Sequence, residues 1–256
     1  MKLTSSVRFL LPILLFTLMT LGLEALVRSG ILPSYLVPAP SDVWTAATVD
    51  SSDLWIAFLD TAWTSALGFT LSALVGLAAG ILFSMNDYVR AAFLPYAVFF
   101  QTVPIVAIAP LLVIWIGYGA PTVVTSSFIV SIFPILANTL TGFQMTDPNL
   151  LDLFRLYKAS LWQRIFKLQF PHALPQIFVG FRIGIGLAVI GAVVGEFIAG
   201  GGLGGLIDVA RTRQRVDVVF AAVLLASLIA LLWIGVVNLS ARIFFTAHHR
   251  TPQNNP

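Results

Sequence analysis

The sequence predicts an all-α membrane protein with about six transmembrane helices. Three observations carry this reading. Hydrophobic residues make up 58% of the 256 residues and charged residues only 10%, where a soluble domain carries about a quarter charged. The apolar runs are continuous and about twenty residues long, the length of helix that crosses a bilayer. They also lack the apolar–polar alternation over roughly ten residues that marks the strands of a membrane barrel.

Six spans follow in order, at residues 9–27, 64–85, 92–116, 122–143, 177–198 and 218–245. The first comes after Lys2 and Arg8. Its apolar part is longer than a signal-peptide core and no small-residue cleavage site follows, so a retained helix is expected. The third contains Pro104 and Pro110, each of which removes a hydrogen bond from the helical ladder. Gly76-x-x-x-Gly80, Gly180-x-x-x-Gly184 and Gly191-x-x-x-Gly195 lie within spans and allow close helix contact.

Outside the spans, Pro38-Ala39-Pro40-Ser41-Asp42-Val43-Trp44 reads as a turn into a short helix with Ser41 as N-cap. Gly200-Gly201-Gly202-Leu203-Gly204-Gly205 reads as a tight loop before another short helix. The segment between spans four and five differs from its surroundings. Asp147-Pro148 starts a helix, along which Leu150, Leu151, Phe154, Tyr157 and Leu161 recur at helical spacing. Arg155 and Lys158 fall on its other side. Ser160-Leu161-Trp162-Gln163 has capping-box form and begins a second helix, which Pro171 and Pro175 are expected to stop.

Lys and Arg near the span ends set orientation. An inside N-terminus puts Lys2, Arg8, Arg90, Arg155, Lys158, Arg164, Lys167, Arg242 and Arg250 in the cytoplasm and Arg28, Arg211, Arg213 and Arg215 outside. Both termini are then cytoplasmic, and so is the basic loop. Arg182, inside the start of span five, is left out of the comparison. The amphipathic basic loop fits either a helix resting on anionic membrane lipid or a docking element laid into the groove of a soluble partner.

Several chemistries are excluded. With no cysteine there is no disulfide or thiolate site, and His172, His248 and His249 form no zinc-hydrolase pattern, so no metal, cofactor or catalytic residue is expected. None of Lys2, Lys158 and Lys167 follows a glycine, so the chain has no P-loop and is not an ATPase. A net charge of +3 fits a membrane protein rather than a nucleic-acid surface.

The loop resembles the cytoplasmic loop of bacterial ABC importer permeases, whose pattern is Glu-Ala-Ala, three residues, Gly, nine residues, Ile-x-Leu-Pro. Here the same spacing gives Asp152-Leu153-Phe154, Lys158 and Leu168-Gln169-Phe170-Pro171. The spacing and the proline agree, whereas the alanines and the glycine are replaced. Leu36 to Trp44, Pro104 to Gly117, Phe133 to Thr139, Ala173-Leu174-Pro175 with Gly180-Phe181-Arg182-Ile183-Gly184, and Gly202-Leu203-Gly204 resemble the nitrate, taurine and alkanesulfonate branch. Leu156 to Ser160 and Ile190 to Phe197 are similar to permeases for vitamins or precursors such as riboflavin or thiamine pyrimidine.

The resemblance implies a type I ABC importer permease fold. It implies one transmembrane permease domain, 1–256, containing a coupling-helix loop at 147–171, in the plasma (inner) membrane. It implies a homodimer, two copies of a separate ATP-binding cassette subunit that hydrolyses ATP, and a periplasmic or extracellular solute-binding protein. Asp152, Phe154, Arg155, Tyr157, Lys158, Ser160, Leu161 and Pro171 are the coupling candidates, with Phe154, Tyr157 and Leu161 as main contacts. Some of these aromatics could instead pack on the permease itself. Gln101, Thr102 and Pro104 are candidates for the translocation path, or simple kinks. Asn138 either lines the path or bonds a neighbouring helix. Glu196 is either a functional acid or a solvated or paired structural one. The solute is a vitamin or precursor, or else taurine, an alkanesulfonate or nitrate. A secondary transporter working without ATP, and a structural membrane protein, are the competing classes.

Overall fold

In a computed structural model, residues 5–248 are described. The described residues form helices joined by short turns: α1 Ser5–Arg28, α2 Pro40–Val49, α3 Ser51–Met85, α4 Asp87–Thr102, α5 Ile105–Ile116, α6 Ala120–Gln144, α7 Pro148–Leu156, α8 Leu161–Arg164, α9 Phe170–Ala199, α10 Gly202–Thr212 and α11 Val216–His248. A π turn, Ile165–Gln169, joins α8 to α9. Among the described residues, five helices are long and apolar enough to cross a membrane, and the bent pair α4–α5 makes a sixth if it counts as one span.

The centre of the bundle is α3, α6 and α9, and small residues let these helices meet. A Cβ at Gly191 would lie 2.8 Å from the Ser126 carbonyl, and one at Gly80 would lie 2.6 Å from Thr139 Cβ. Gly76, Gly180, Gly184 and Gly195 are similarly crowded by α6. Lipid is as apolar as leucine, so close backbone approach and hydrogen bonds hold such helices together. Ser72 Oγ and Ser131 Oγ are 2.6 Å apart between α3 and α6, and Ser127 Oγ donates to the Ala188 carbonyl of α9 at 2.9 Å.

Several sequence expectations change. The third span is not one kinked helix: α4 and α5 meet at 100°. Val103, before Pro104, is extended at φ −75° and ψ 123°, the conformation a following proline enforces. Pro110 leaves α5 unbroken. The second span begins well before residue 64, because α3 starts at Ser51. Its added turns carry Asp53 and Asp60, which hide them from a hydropathy reading, yet they bury Leu54 and Ala57. Ser41 is not an N-cap. α2 starts at Pro40 after Ala39, and Ser41 Oγ instead donates to Glu24 of α1 at 2.6 Å. Glu24 also accepts the Ser41 N–H at 3.0 Å, so the acid that caps α2 comes from another helix.

The largest correction concerns Pro171 and Pro175, which do not stop a helix. Residues 161–199 form one continuous 39-residue helical run through both prolines. The π turn explains how. The Phe170 N–H bonds to the Ile165 carbonyl, one residue further back than in an α-helix. This widened turn precedes Pro171, whose ring would otherwise press on the carbonyl four residues before it.

Apart from Arg182, within α9, the Lys and Arg residues from Arg28 to Arg242 divide between the two ends of the bundle. Arg28, Arg211, Arg213 and Arg215 lie at the end with α2 and α10, and Arg90, Arg155, Lys158, Arg164, Lys167 and Arg242 at the end with α7. Lys2 and Arg250, counted in the sequence reading of orientation, lie outside the described residues.

Candidate functional site

The coupling candidates sit on and around α7, which hangs between α6 and the long α8–α9 helix. Asp147 caps α7 by accepting the Asn149 N–H at 2.8 Å, and Pro148 opens its first turn. Its end is fixed by a paired closure. The Ala159 N–H bonds to the Phe154 carbonyl and the Lys158 N–H to the Arg155 carbonyl, both at 2.9 Å. This is the Schellman arrangement, which places one residue in the left-handed region. That residue is Lys158, with φ 51°. The position is the one where the pattern of the ABC importer loop carries glycine, the residue that adopts this conformation at no steric cost; Lys158 adopts it despite its Cβ.

The next segment starts as the sequence indicates. Ser160 and Gln163 form a reciprocal capping box. Ile165 is buried against Phe143, Ala173 and Ile177, which fixes the base of the loop to α6 and α9. No residue of α7 is buried. Leu156 is 81% exposed and Tyr157 80%, whereas Phe154 is half-buried. Leu161 and Pro171 are exposed. Asp152 and Arg155 pair with each other at 2.9 Å. Sequence reasoning missed Leu156. The apolar pair Leu153 and Leu156, three residues apart, was the available signal.

The five path candidates fall in three places. Gln101, Thr102 and Pro104 come together at the α4–α5 break, lining a cavity of about 310 Å³ with Phe133, Pro134 and Leu187. Asn138 lies one turn beyond this cavity and bonds a neighbouring helix. Its Oδ1 accepts from Gln176 Nε2 of α9 at 2.9 Å, and its Nδ2 donates to the Pro134 carbonyl at 2.8 Å.

Glu196 is at the other end of α9. It is 1% exposed and not solvated. Its Oε2 accepts from Thr61 Oγ1 at 2.8 Å and from the Gly204 N–H at 3.0 Å, and Oε1 accepts from Thr64 Oγ1 at 3.3 Å. Thr61 Oγ1 in turn accepts the Leu203 N–H at 2.8 Å. The carboxylate thus occupies the N-terminal end of α10, where free N–H groups and the helix dipole favour an anion. It joins α3, α9 and α10. The Thr61-x-x-Thr64 spacing on α3 is the sequence signal for this network. Beside this network, the Gly200–Gly202 turn lines a cavity of about 480 Å³ together with Asp53, Asp60, Tyr118 and Asp208.

Comparison with known proteins bears on this arrangement. Residues 72–250 match the family model described as binding-protein-dependent transport system inner membrane component. The chain is 33% identical over 226 residues to the riboflavin transport system permease protein RibX of Chloroflexus aurantiacus, covering 86% of this chain and 83% of that one. It is 33% identical over 227 residues to the formylaminopyrimidine transport permease protein ThiX of Halalkalibacterium halodurans, covering 88% and 90%. A chain of the MetNI methionine ABC transporter, solved in inward-facing conformations, superposes with a TM-score of 0.66 at 16% identity, over 75% of this chain and 96% of that one.

Proposed function

The chain belongs to the family of binding-protein-dependent transport system inner membrane components, and from this premise we propose how its parts divide the work of import. It is the permease subunit of an ABC importer, a multi-pass protein of the inner membrane. In the proposal two copies form the path, and two ATP-binding cassette subunits hydrolyse ATP on the cytoplasmic side. A solute-binding protein delivers solute to the opposite side. The α7 end is cytoplasmic, as are both termini.

One observation carries the proposal. α7 is a capped helix with no fully buried side chain and an exposed apolar tip, at the base of a helix running unbroken to Ala199. A helix with an exposed apolar tip binds by filling a groove, and a continuous rod passes on a rigid-body rotation that a floppy loop would absorb. Leu156 and Tyr157 are the central contacts, with Leu161 beside them. Asp152, Arg155 and Lys158 form the charged rim, Ser160 fixes the bend, and Phe154 braces α7. Pro171 lies where the π turn passes movement into α9.

In the same proposal Gln101, Thr102 and Pro104 line the path at the α4–α5 break, while Asn138 and Glu196 hold helices together around it. Broken helices at membrane depth are tolerated where they face a cavity. The relatives named for riboflavin and formylaminopyrimidine transport support a flat nitrogen heterocycle, a vitamin or its precursor, as the solute.

Co-purification from native membranes tests the complex. An ATPase subunit should accompany the permease, and ATP hydrolysis in liposomes should rise when the loaded binding protein is added. A permease that purifies without an ATPase and transports without ATP would sink the proposal. Riboflavin and formylaminopyrimidine titrated into the cognate binding protein test the solute; binding of a sulfonate or nitrate instead would reassign it.

A further inference from the structure

We propose that the angle between α4 and α5 is a solute subsite for a planar, uncharged ring with one hydrogen-bonding edge. This reading of the break rests on the import path proposed there. The cavity with Thr102 and Pro104 is only part of the space. A second cavity, of about 470 Å³, adjoins it between α4, α5 and α6. Phe100, Gln101, Val103 and Phe133 line both, and Trp115 of α5 and Phe128 of α6 complete the second. Ligand pockets run from roughly 300 to 1,000 Å³ and are mostly apolar, with a few polar groups that orient the ligand.

The angle lies deep in the membrane. Phe133 is about 20 Å along α6 from Ala120 and about 17 Å from Gln144 at the α-helical rise. It therefore sits near the middle of a hydrocarbon core about 30 Å thick. Thr102 is satisfied there, since its Oγ1 donates to the Phe99 carbonyl at 2.7 Å. The Gln101 amide has no hydrogen-bond partner among the described residues. Lys and Arg reach the interface on long stems, but a glutamine at this depth cannot. An unpaired amide in hydrocarbon is costly, so the occupant of the angle carries a hydrogen-bonding group.

The other walls decide its kind. Phe100, Trp115, Phe128 and Phe133 present aromatic rings, on which a planar ring stacks while its polar edge meets Gln101. A lipid chain, or an apolar helix of a second copy, would fill the angle and leave the amide unpaired. Water would pair the amide and leave the aromatic rings wet, which is unfavourable. Among the described residues, no Asp, Glu, Lys, Arg or His lines either cavity. A nitrate or a sulfonate would give up its hydration to walls without a cation. The chemistry of the angle thus favours an uncharged ring over a small anion.

The test uses the full importer in liposomes, with riboflavin, formylaminopyrimidine, taurine and nitrate as probes. The chain has no cysteine, so Val103→Cys, in the wall shared by both cavities, supplies a single thiol to follow. A water-soluble maleimide should label it, and the imported ring should slow that labelling, whereas taurine and nitrate should not. Gln101→Leu should lower the ring imported per ATP hydrolysed by about fivefold or more, the loss expected for a hydrogen bond left unmade. The KM for the loaded binding protein should not change, because the docking face is untouched. Trp115→Ala should show the same split, and Trp115→Phe should restore import. Co-purification of each variant with the ATPase reads folding. Free labelling that no ring slows, with import per ATP unchanged in Gln101→Leu and Trp115→Ala, overturns the subsite and leaves the path reading standing. A thiol that stays unlabelled in every condition overturns the path at the break, and the subsite with it. An importer that moves taurine or nitrate, or neither ring, overturns the class of solute.

Discussion

α7 and α10 are built alike and used differently. Both are short helices at opposite ends of the bundle. Both close with the Schellman arrangement and a residue other than glycine in the left-handed region: Lys158 at φ 51° and Gln214 at φ 58°. α10, however, is locked to its own chain. Gly202, Leu203, Gly204 and Ala210 are buried, and Glu196 and Thr61 hold its first turn. Just beyond its end, Arg215 bonds Asp50 and Asp217. Among the described residues, the polar side-chain ties of α7 are local: Asp147 caps its own helix and Asp152 pairs with Arg155. A helix already satisfied by its own chain is part of the permease body. One that is rigid but unsatisfied is shaped for something outside.

The largest expected effect breaks α10 from the body. A Cβ at Gly204 would overlap the Val193 carbonyl oxygen and lie 2.7 Å from Glu196 Cβ. Neither is the free end of a flexible side chain, so Gly204→Val should abolish the folded permease. Fluorescence-detected size exclusion after mild detergent extraction reads this as loss of the monodisperse peak. Retention of that peak at wild-type height would mean that α10 can detach at little cost, and the contrast with α7 would collapse.

Next comes the opposite experiment. Leu156→Asp combined with Tyr157→Asp changes two side chains that are about four-fifths exposed. Stability should move by less than about 1 kcal/mol, as surface changes usually do. Partner binding should fall far more, because a charge in an apolar groove costs several kcal/mol. Expected are an unchanged melting temperature and at least tenfold loss of ATPase co-purification and transport. If both survive, α7 is not the docking element.

A smaller effect separates backbone from side chain at the two closures. The left-handed conformation costs a residue other than glycine roughly 1 kcal/mol. Lys158→Gly and Gln214→Gly should each stabilise by about that amount, less the added entropy of a glycine in the unfolded chain. Only Lys158→Gly should also change ATPase affinity, since it removes a cation from the docking rim. Equal transport in both variants would mean that Lys158 acts through its backbone alone.

The sequence made the presence and order of the apolar spans legible, because hydropathy and length decide them, but not the early start of α3 or the break between α4 and α5. It made the caps at Asp147 and Ser160 legible, because both use side chains within three residues. What stayed hidden depends on contacts across the chain. Glu196 could be marked as an intramembrane acid, but its partner Thr61 lies 135 residues away. Ser41 looked like a cap until Glu24, 17 residues back, took that role. Pro171 has the look of a helix stop, but the π turn before it, which leaves no mark in the sequence, carries the helix through. Phe154 and Tyr157 shared a helical face on paper, yet the closure at Lys158 ends the helix at Leu156 and leaves Tyr157 outside it.

The smallest expected effect tests how much α10 depends on its charged tie. Hydrogen bonds to Asp217 and Asp50 raise Arg215 above its ordinary value, so it stays a cation at any working pH. The pairing is nevertheless partly exposed, with Arg215 at 44% and Asp50 at 28%. Screening by water and salt limits such a pair to roughly 0.2–1 kcal/mol. Asp50→Asn should therefore lower the melting temperature only slightly, and less in high salt, while leaving transport intact. A loss comparable to that of Gly204→Val would reverse the argument: α10 would then be held by surface charge, not by its buried glycines and Glu196.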